Sequence, residues 1–227
     1  MDRFRRFASR VRCRRVTVQQ EKLYGWRDAS ASHMHKHFMP HLFELCGPVT
    51  SATRVLDIGC GNGYTAGLFL TKGCRVVGID ASVDGIEIAR CTYPEARFEV
   101  LAGNDDILFE LNCEPFDLVI STEVIEHVYD PHAFVQGCYR TVRPGGRFIC
   151  STPYHGYLKN LLLSSFNRWD QHANPLWRGG HIKFWSRKTL SRLLTEAGFV
   201  NLQFRGAGRL TYLWMTMLMA ADRPTES

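Results

Sequence analysis

Long apolar runs, closely paired cysteines and low-complexity tracts are all missing from this 227-residue chain. No apolar stretch approaches the roughly 18 to 20 uninterrupted residues of a membrane-spanning helix. Leu158 to Phe166 and Tyr212 to Ala221 reach about half of that, so the chain is not expected to be integral to a membrane. The eight cysteines (Cys13, Cys46, Cys60, Cys74, Cys91, Cys113, Cys138 and Cys150) never stand closer than twelve residues apart, which excludes a CxxC zinc or redox pair. Several lie within apolar runs, where a free thiol packs as a small hydrophobe. The 19 glycines and nine prolines are scattered, which excludes collagen, long linkers and low-complexity disorder. The start of the chain shows neither the apolar core nor the small-residue cleavage site of a secretory signal. A reducing, cytoplasmic setting is the expectation.

What is present is an ordinary globular composition, 45% hydrophobic, 22% charged and 12% aromatic, at a length that suits one domain. The net charge of +6 is a tail property: residues 1–15 hold seven arginines and one aspartate, and the remainder has 21 basic and 21 acidic residues. Residues 1–16 therefore read as a basic N-terminal tail and 17–227 as a single domain. Phe4, Phe7 and Val11 fall at helical spacing among the arginines, a pattern that suits peripheral contact with an anionic membrane surface. A solvated arm is the simpler reading. An organelle transit peptide fits poorly, because Asp2 is acidic and serine is scarce.

Residues 17–47 read as helical, with Leu42, Phe43 and Leu45 on the apolar face and Gly47-Pro48 as the stop. Strands then alternate with helices. Strands are expected at Arg54–Ile58, Arg75–Ile79, Arg97–Leu101, Phe116–Ser121 and Arg147–Ser151, with helices at Tyr64–Lys72, Asp84–Cys91 and Ala133–Val142. The last of these helices should stop at Pro144-Gly145-Gly146. Ser186 is a plausible N-cap for a helix over Arg187–Ala197. Two final strands, Val200–Phe204 and Leu213–Ala221, should pair antiparallel at the sheet edge. This rhythm specifies an α/β fold with a Rossmann-like, doubly wound, mostly parallel sheet and an antiparallel edge. Residues 153–185 break it, crowding Tyr154, Tyr157, Phe166, Trp169, Trp177, Phe184 and Trp185 without a clear period. Such an insertion is either a lid over a pocket or a satellite hydrophobic cluster.

Val55 to Gly63 places Gly59, Gly61 and Gly63 between the first strand and the next helix. The spacing is GxGxG, with Asp57 two residues before the first glycine, whereas a dinucleotide fold closes GxGxxG on a pyrophosphate. A carboxylate there repels a diphosphate and favours a cation. Asp80, 23 residues after Asp57, ends the second strand, where a carboxylate accepts ribose hydroxyls. An adenosine-bearing ligand without a diphosphate fits this arrangement better than NAD.

From Val55 to Ala221 the chain resembles the class I S-adenosylmethionine-dependent methyltransferases, in the Asp57–Gly63 loop, Asp80, the Asn104-Asp105-Asp106 stretch and the Phe116–Ser121 strand. The resemblance implies S-adenosylmethionine as cofactor. Gly59 and Gly61 would face its methionine part, Asp80 its ribose, and Asn104 or Asp105 its adenine. The expected cofactor-binding set is Asp57, Gly59, Cys60, Gly61, Asp80, Ala81, Asn104, Asp105 and Thr122.

Thr122-Glu123-Val124-Ile125-Glu126-His127 follows the fourth strand and is expected to open a helix. At i, i+3 and i+4, Glu123, Glu126 and His127 would share one face. Two carboxylates and an imidazole can hold a divalent cation, although glutamate also suits any first helical turn. With Gly180-His181-Ile182-Lys183-Phe184 downstream, the pattern is similar to the ubiquinone-pathway O-methyltransferases and to the enzymes that 2′-O-methylate small-RNA 3′ ends. In both groups the resemblance implies a divalent metal (Mg²⁺, Mn²⁺ or Zn²⁺) held by the counterparts of Glu123, Glu126, His127 and His181. Methyl transfer needs an aligned oxygen and removal of its proton, so His127 and His181 are the candidate catalytic residues.

The expected activity is metal-assisted O-methylation of a phenolic, quinol or other small-molecule hydroxyl. The apolar insertion, with Leu158, Leu161, Leu162 and Leu163 as pocket lining, suits a lipid-linked acceptor. Ser151-Thr152-Pro153-Tyr154-His155-Gly156-Tyr157 departs from the Thr-rich, Arg-containing segment of ubiquinone enzymes. RNA 3′-end methylation is the second reading, weakened by a body balanced in charge. A non-catalytic methyltransferase-like subunit is the third. Tyr24, Trp26 and Arg27 are candidates to cover the cofactor, His132, His155 and His172 to contact substrate, and His33, His35, His37 and His41 read as a polar helix face rather than an i, i+4 metal site.

Overall fold

The structure, a computed structural model, describes residues 26–32, 34–104, 106–208 and 210–225. The basic tail, Tyr24, His33 and Asp105 lie outside the described residues. In chain order the elements are α1 (His35–Cys46), β1 (Arg54–Ile58), α2 (Tyr64–Leu70), β2 (Arg75–Asp80), α3 (Val83–Thr92), β3 (Arg97–Val100) and α4 (Ile107–Leu111). They continue with β4 (Phe116–Thr122), a 3-10 turn (Ile125–His127), α5 (Pro131–Thr141), β5 (Val142–Pro153), α6 (Tyr157–Ser165), α7 (Trp169–Ala173), α8 (Arg187–Glu196), β6 (Val200–Ala207) and β7 (Thr216–Asp222).

The seven strands form one sheet in the order β3-β2-β1-β4-β5-β7-β6. The first five are parallel, and β7 runs antiparallel to both β5 and β6. Alternate residues of each strand feed two cores, because successive side chains point to opposite faces. Leu56, Val119, Met217 and Met219 pack with Phe134, Leu190 and Leu194 from α5 and α8. Val55, Leu118, Ile120 and Leu218 pack with Phe38, Leu42, Phe69 and Ile86 from α1, α2 and α3. Strand order reverses between β1 and β4, so a crevice opens at their C-terminal ends.

Local chemistry explains the helix starts. The Ser82 side chain accepts from the Gly85 N–H, and Asp130 accepts from His132 and Ala133 with Pro131 in the first turn of α5. Ser186 forms a capping box with Thr189 at the start of α8. Two expectations change. Among the described residues of 17–47, the helix begins only at His35, because the segment before it crosses the glycine turn. Pro144-Gly145-Gly146 does not separate a helix from a strand: it is an irregularity inside β5, where the register on β4 shifts between Phe116 and Leu118 and Gly145 takes φ +72°.

Candidate active site

A cavity of about 820 Å³ occupies the crevice, a size that suits a cofactor with a small acceptor. At one end lie Gly59, Cys60, Asp80 and Ala81, and at the other Glu126, His127, His172 and His181, with Thr122 and Glu123 also on its wall.

The glycine turn is fixed by its own backbone. The Gly59 and Cys60 N–H groups both donate to the Ile79 carbonyl, at 2.7 and 3.0 Å. Gly61 N–H donates to Asp80 Oδ2 at 2.8 Å, and Ser82 N–H to Asp80 Oδ1 at 2.7 Å. Gly59 has φ +78°, and a Cβ there would lie 2.2 Å from Val124 Cγ2, so only glycine fits. Asp57 lies fully buried behind the turn, its carboxyl near the Ala66 N–H but without a well-formed hydrogen bond among the described residues. Burial, then the Asp80 charge, pushes its carboxyl up to about 8. Burial also raises Asp80, partly offset by the Ser82 and Gly61 N–H groups. Two carboxyl groups under strain from desolvation and mutual repulsion are relieved by a nearby cation and opposed by a diphosphate.

Not every residue of the expected cofactor set reaches the cavity. Gly59, Cys60, Asp80, Ala81 and Thr122 line it; Asp57 and Gly61 support it from behind. Asn104 is spent locally, donating to Glu110 Oε1 at 2.9 Å and accepting from the Asp106 N–H at 2.8 Å. The backbone one step earlier, Leu101, Ala102 and Gly103, forms that wall instead. Trp26 closes the turn from above: it lies against Gly61, where a Cβ would come within 2.5 Å of its ring, and its Nε1 is buried without a hydrogen-bond partner among the described residues. Arg27 is exposed. No motif marks Trp26 in the sequence, and only its proximity to the Asn62 contacts at Asp28 and Ser30 explains its place.

Across the cavity, Glu126, His127 and His181 bring one ligand atom each to within 4.8 Å of one another. His181 arrives from far downstream because the Ile182 and Lys183 N–H groups both donate to the Glu126 carbonyl, at 2.9 and 3.0 Å. His127 Nδ1 lies 3.2 Å from the Gly180 carbonyl. A carbonyl only accepts, so Nδ1 carries the proton and Nε2 presents its lone pair, 3.9 Å from Glu126 Oε1. Glu126 Oε2 accepts from Thr152 Oγ1 at 2.9 Å, while Oε1 is buried without a hydrogen-bond partner among the described residues. Burial, then the neighbouring Glu123, raises the Glu126 carboxyl well above its ordinary range. Burial first, then His127, His172 and Lys159, lowers His181 to about 4. An orphaned carboxylate oxygen beside two imidazoles, one oriented by a carbonyl, fits a divalent cation.

Glu123 stands apart. The segment that was expected to be helical is not: Glu123 has φ +56° and only Ile125–His127 form a 3-10 turn. Its Oε1 accepts from Ser151 Oγ at 2.7 Å and Thr216 Oγ1 at 2.6 Å, which ties it to β5 and β7. It faces the cavity beside the three-residue cluster rather than within it.

The insertion also differs from expectation in which side chains it turns inward. Leu158 and Leu161 are exposed and α6 buries no residue, whereas Lys159 lines the cavity. Trp177 packs edge-on to His127 and His181, with centroids 5.8 and 6.1 Å away. A lone lysine within an apolar run is the one sequence signal that could have singled out Lys159.

Residues 28–203 match a family model described as "Methyltransferase domain". The chain is 41% identical over 101 residues to the ubiquinone biosynthesis O-methyltransferase of Maricaulis maris, covering 44% of this chain and 40% of that protein. It is 32% identical over 152 residues to the human mitochondrial ubiquinone biosynthesis O-methyltransferase, covering 64% and 41%. It is 37% identical over 147 residues to a probable S-adenosylmethionine-dependent methyltransferase of Mycolicibacterium smegmatis, covering 64% and 51%. The chain thus spans about half the length of these relatives. Among solved structures it is similar to an S-adenosylmethionine-dependent methyltransferase from Mesorhizobium loti, with a TM-score of 0.62, 19% identity and coverage of 82% and 97%. It is also similar to Haemonchus contortus phosphoethanolamine N-methyltransferase 2 in complex with S-adenosyl-L-methionine, with a TM-score of 0.60, 18% identity and coverage of 79% and 50%. At these identities the structural likeness speaks for the fold. No helix among the described residues is long and apolar enough to cross a membrane.

Proposed function

The chain belongs to the methyltransferase-domain family, and from that premise we propose that it transfers a methyl group from S-adenosylmethionine to a hydroxyl oxygen of a small aromatic acceptor of the phenol or quinol type. The observation that carries this reading is one cavity joining the Gly59–Asp80 turn to Glu126, His127 and His181. The relatives named ubiquinone biosynthesis O-methyltransferases support the acceptor class, and the aromatic wall of Phe134, Trp177 and Trp214 suits a ring.

When bound, S-adenosylmethionine supplies a sulfonium-activated methyl group for in-line displacement. Asp80 accepts the ribose hydroxyls with the lone pairs its two backbone N–H bonds leave over, and Trp26 covers the turn. The Asp80 carboxylate, which lines the cavity, makes the end near the turn favourable to positive charge. A divalent cation held by Glu126, His127 and His181 would lower the pKa of an acceptor hydroxyl. Burial holds His127 and His181 neutral near pH 7, the state in which each can offer a ring nitrogen to that cation, and the acceptor proton, its pKa lowered, would leave to solvent. Trp177 shields both rings from water.

The test is calorimetric titration of the EDTA-stripped protein with S-adenosylhomocysteine, then methyl transfer to a catechol panel with and without Mg²⁺, Mn²⁺ or Zn²⁺. Cofactor binding with cation-dependent transfer is expected. Absence of S-adenosylhomocysteine binding would overturn the reading, and transfer unaffected by chelation would remove the cation from it.

A further inference from the structure

The cofactor end of the cavity has one wall that the sheet does not supply. Trp26, Ser32, Met34 and His35 line it together with Gly59, Cys60 and Asn62 of the glycine turn and Thr65 of α2. Arg27, Asp28, Ser30 and Ala31, in the same stretch, are exposed, so residues 26–32 separate the cavity from water as a strap one chain thick. Among the described residues, the strap makes no backbone hydrogen bond to the sheet. Side chains hold it instead. Asn62, 3% exposed, donates through Nδ2 to the Asp28 carbonyl at 2.7 Å and to the Ser30 carbonyl at 2.9 Å, while its Oδ1 accepts from the Tyr64 N–H at 3.3 Å. At the other end the Ser32 N–H donates to His35 Nδ1 at 2.8 Å, so Nε2 carries the proton toward Thr65 Oγ1, 3.3 Å away. Trp26 sits in a slot between two glycines: a Cβ on Gly61 would lie 3.1 Å from its Cε2, and one on Gly85 would lie 3.2 Å from its Cδ1. Those two carbons flank Nε1, whose N–H is buried without a hydrogen-bond partner among the described residues. The missing side chains admit the indole, and the unpaired donor lowers the cost of its leaving.

Two routes compete for a cofactor entering this end. Through the acceptor end it would have to pass Trp177, packed edge-on to His127 and His181. Under the strap it meets two amide hydrogen bonds, one imidazole–hydroxyl contact and a seated indole, all of which can open without disturbing a strand or a core. Resting on the proposed cofactor reading, we propose that residues 26–32 are an exchange strap, with Asn62 as its latch and Trp26 as its plug, so that S-adenosylmethionine enters and S-adenosylhomocysteine leaves only when the latch opens. Asn62 and Trp26 are positioning residues in this role. Asn62 stands between Gly61 and Gly63 in the turn itself, so the latch and the turn move together. A ligand seated on the turn holds the strap down, and by the same coupling the closed strap holds the ligand. The turn sets where the cofactor lies, and the strap sets how long it stays.

The experiment uses the full chain and tritium-labelled S-adenosylhomocysteine, with association and dissociation followed by rapid filtration and trypsin cleavage after Arg27 followed by mass. Asn62→Ala is expected to raise the dissociation rate about 10- to 100-fold, the range of two neutral hydrogen bonds, and to leave association as fast or faster. Damage to the fold alone would slow association instead. Asn62→Asp keeps the acceptor for Tyr64 but sets a carboxylate against two carbonyls, so it should release the ligand at least as fast as Asn62→Ala. Trp26→Ala should release it severalfold faster than the wild type, and Asn62→Ala serves as the independent arm if Trp26→Ala does not fold. Bound S-adenosylhomocysteine should slow cleavage after the exposed Arg27 in the wild type, and Asn62→Ala should weaken that protection. Unchanged dissociation in both Asn62→Ala and Trp26→Ala, association slowed with dissociation unchanged, or cleavage after Arg27 indifferent to the ligand would overturn the strap alone. A wild-type protein that does not bind S-adenosylhomocysteine would overturn the cofactor reading and the strap with it.

Discussion

The two ends of the cavity are built by different means. The end at Gly59 and Asp80 is made of strand ends and backbone hydrogen bonds, set by the register of β1 on β2 and by glycines that admit no side chain. The end at His172 and His181 is made of side chains delivered by an insertion whose two short helices, α6 and α7, bury no residue. The first is anchored in both sheet cores; the second hangs from a few backbone bonds, such as Ile182 and Lys183 to Glu126 and His155 N–H to the Trp185 carbonyl. A fold that fixes the cofactor end through the sheet leaves its acceptor end free to vary by loop chemistry.

Breaking the rigid end should have the largest effect. Gly59→Val places a branched side chain at φ +78°, against Val124. Strain of about 1 to 3 kcal/mol at such a position adds to the clash, so calorimetry should find S-adenosylhomocysteine binding lost and thermal denaturation a lowered Tm. Retained binding in a folded Gly59→Val protein would show that the turn is not the cofactor wall.

The next contrast lies within the acidic residues. Glu126→Gln keeps an acceptor for Thr152 but removes the charge from the orphaned oxygen, and turnover should fall by about 100-fold with cation retention. Glu123→Gln should cost less, since its Oε1 serves Ser151 and Thr216 outside the three-residue cluster. Metal content by plasma emission and kcat/KM on a catechol separate the two. Equal losses would return Glu123 to the ligand set that the sequence spacing suggested.

Those acidic residues also show where the sequence was readable. The glycine turn, Asp80 and the strand rhythm were legible because period-2 burial and turn glycines are local, and Ser186 was legible as a cap for the same reason. The one-face arrangement of Glu123, Glu126 and His127 was not, because it assumed helical spacing where the chain takes a left-handed residue and a 3-10 turn. The placement of His181 beside Glu126 follows from backbone bonds between residues 56 and 57 positions apart in the chain, which no local pattern encodes. The leucines of α6 misled for a related reason: composition gave their chemistry, while the direction of the helix against the sheet turned Lys159 inward.

Lys159 links the two ends to stability. Burial lowers it to about 8 from its ordinary 10.5. Between those values the folded protein binds fewer protons than the unfolded chain, so stability rises with pH across the window, and below about 8 the full penalty applies. Lys159→Met should therefore stabilise the ligand-free protein by roughly 2 to 3 kcal/mol at pH 7, with the gap closing as pH rises from 8 to 10.5. Urea unfolding at pH 7, 9 and 10.5 measures it. A gap that does not change with pH would mean that the ammonium is already well solvated, and the acceptor end would then carry no stored cost for a ligand to relieve.

The smallest effect belongs to the outer face of the insertion. Leu176 is 93% exposed and lies between α7 and the His181 segment. If this region is held by backbone bonds and the His155–Trp169 stack rather than by its apolar surface, Leu176→Ser should change stability by no more than about 0.5 kcal/mol, as for surface positions generally. Thermal denaturation and calorimetry with S-adenosylhomocysteine should both match the wild type. A clear loss of stability would mean that Leu176 is covered by part of the molecule in solution, and the contrast between an anchored cofactor end and a loosely hung acceptor end would weaken accordingly. A neutral result sharpens it, because residues 157–181 then contribute chemistry to the cavity through Lys159, His172 and His181 while Tyr154 and Trp185, at the ends of the insertion, carry its apolar burial.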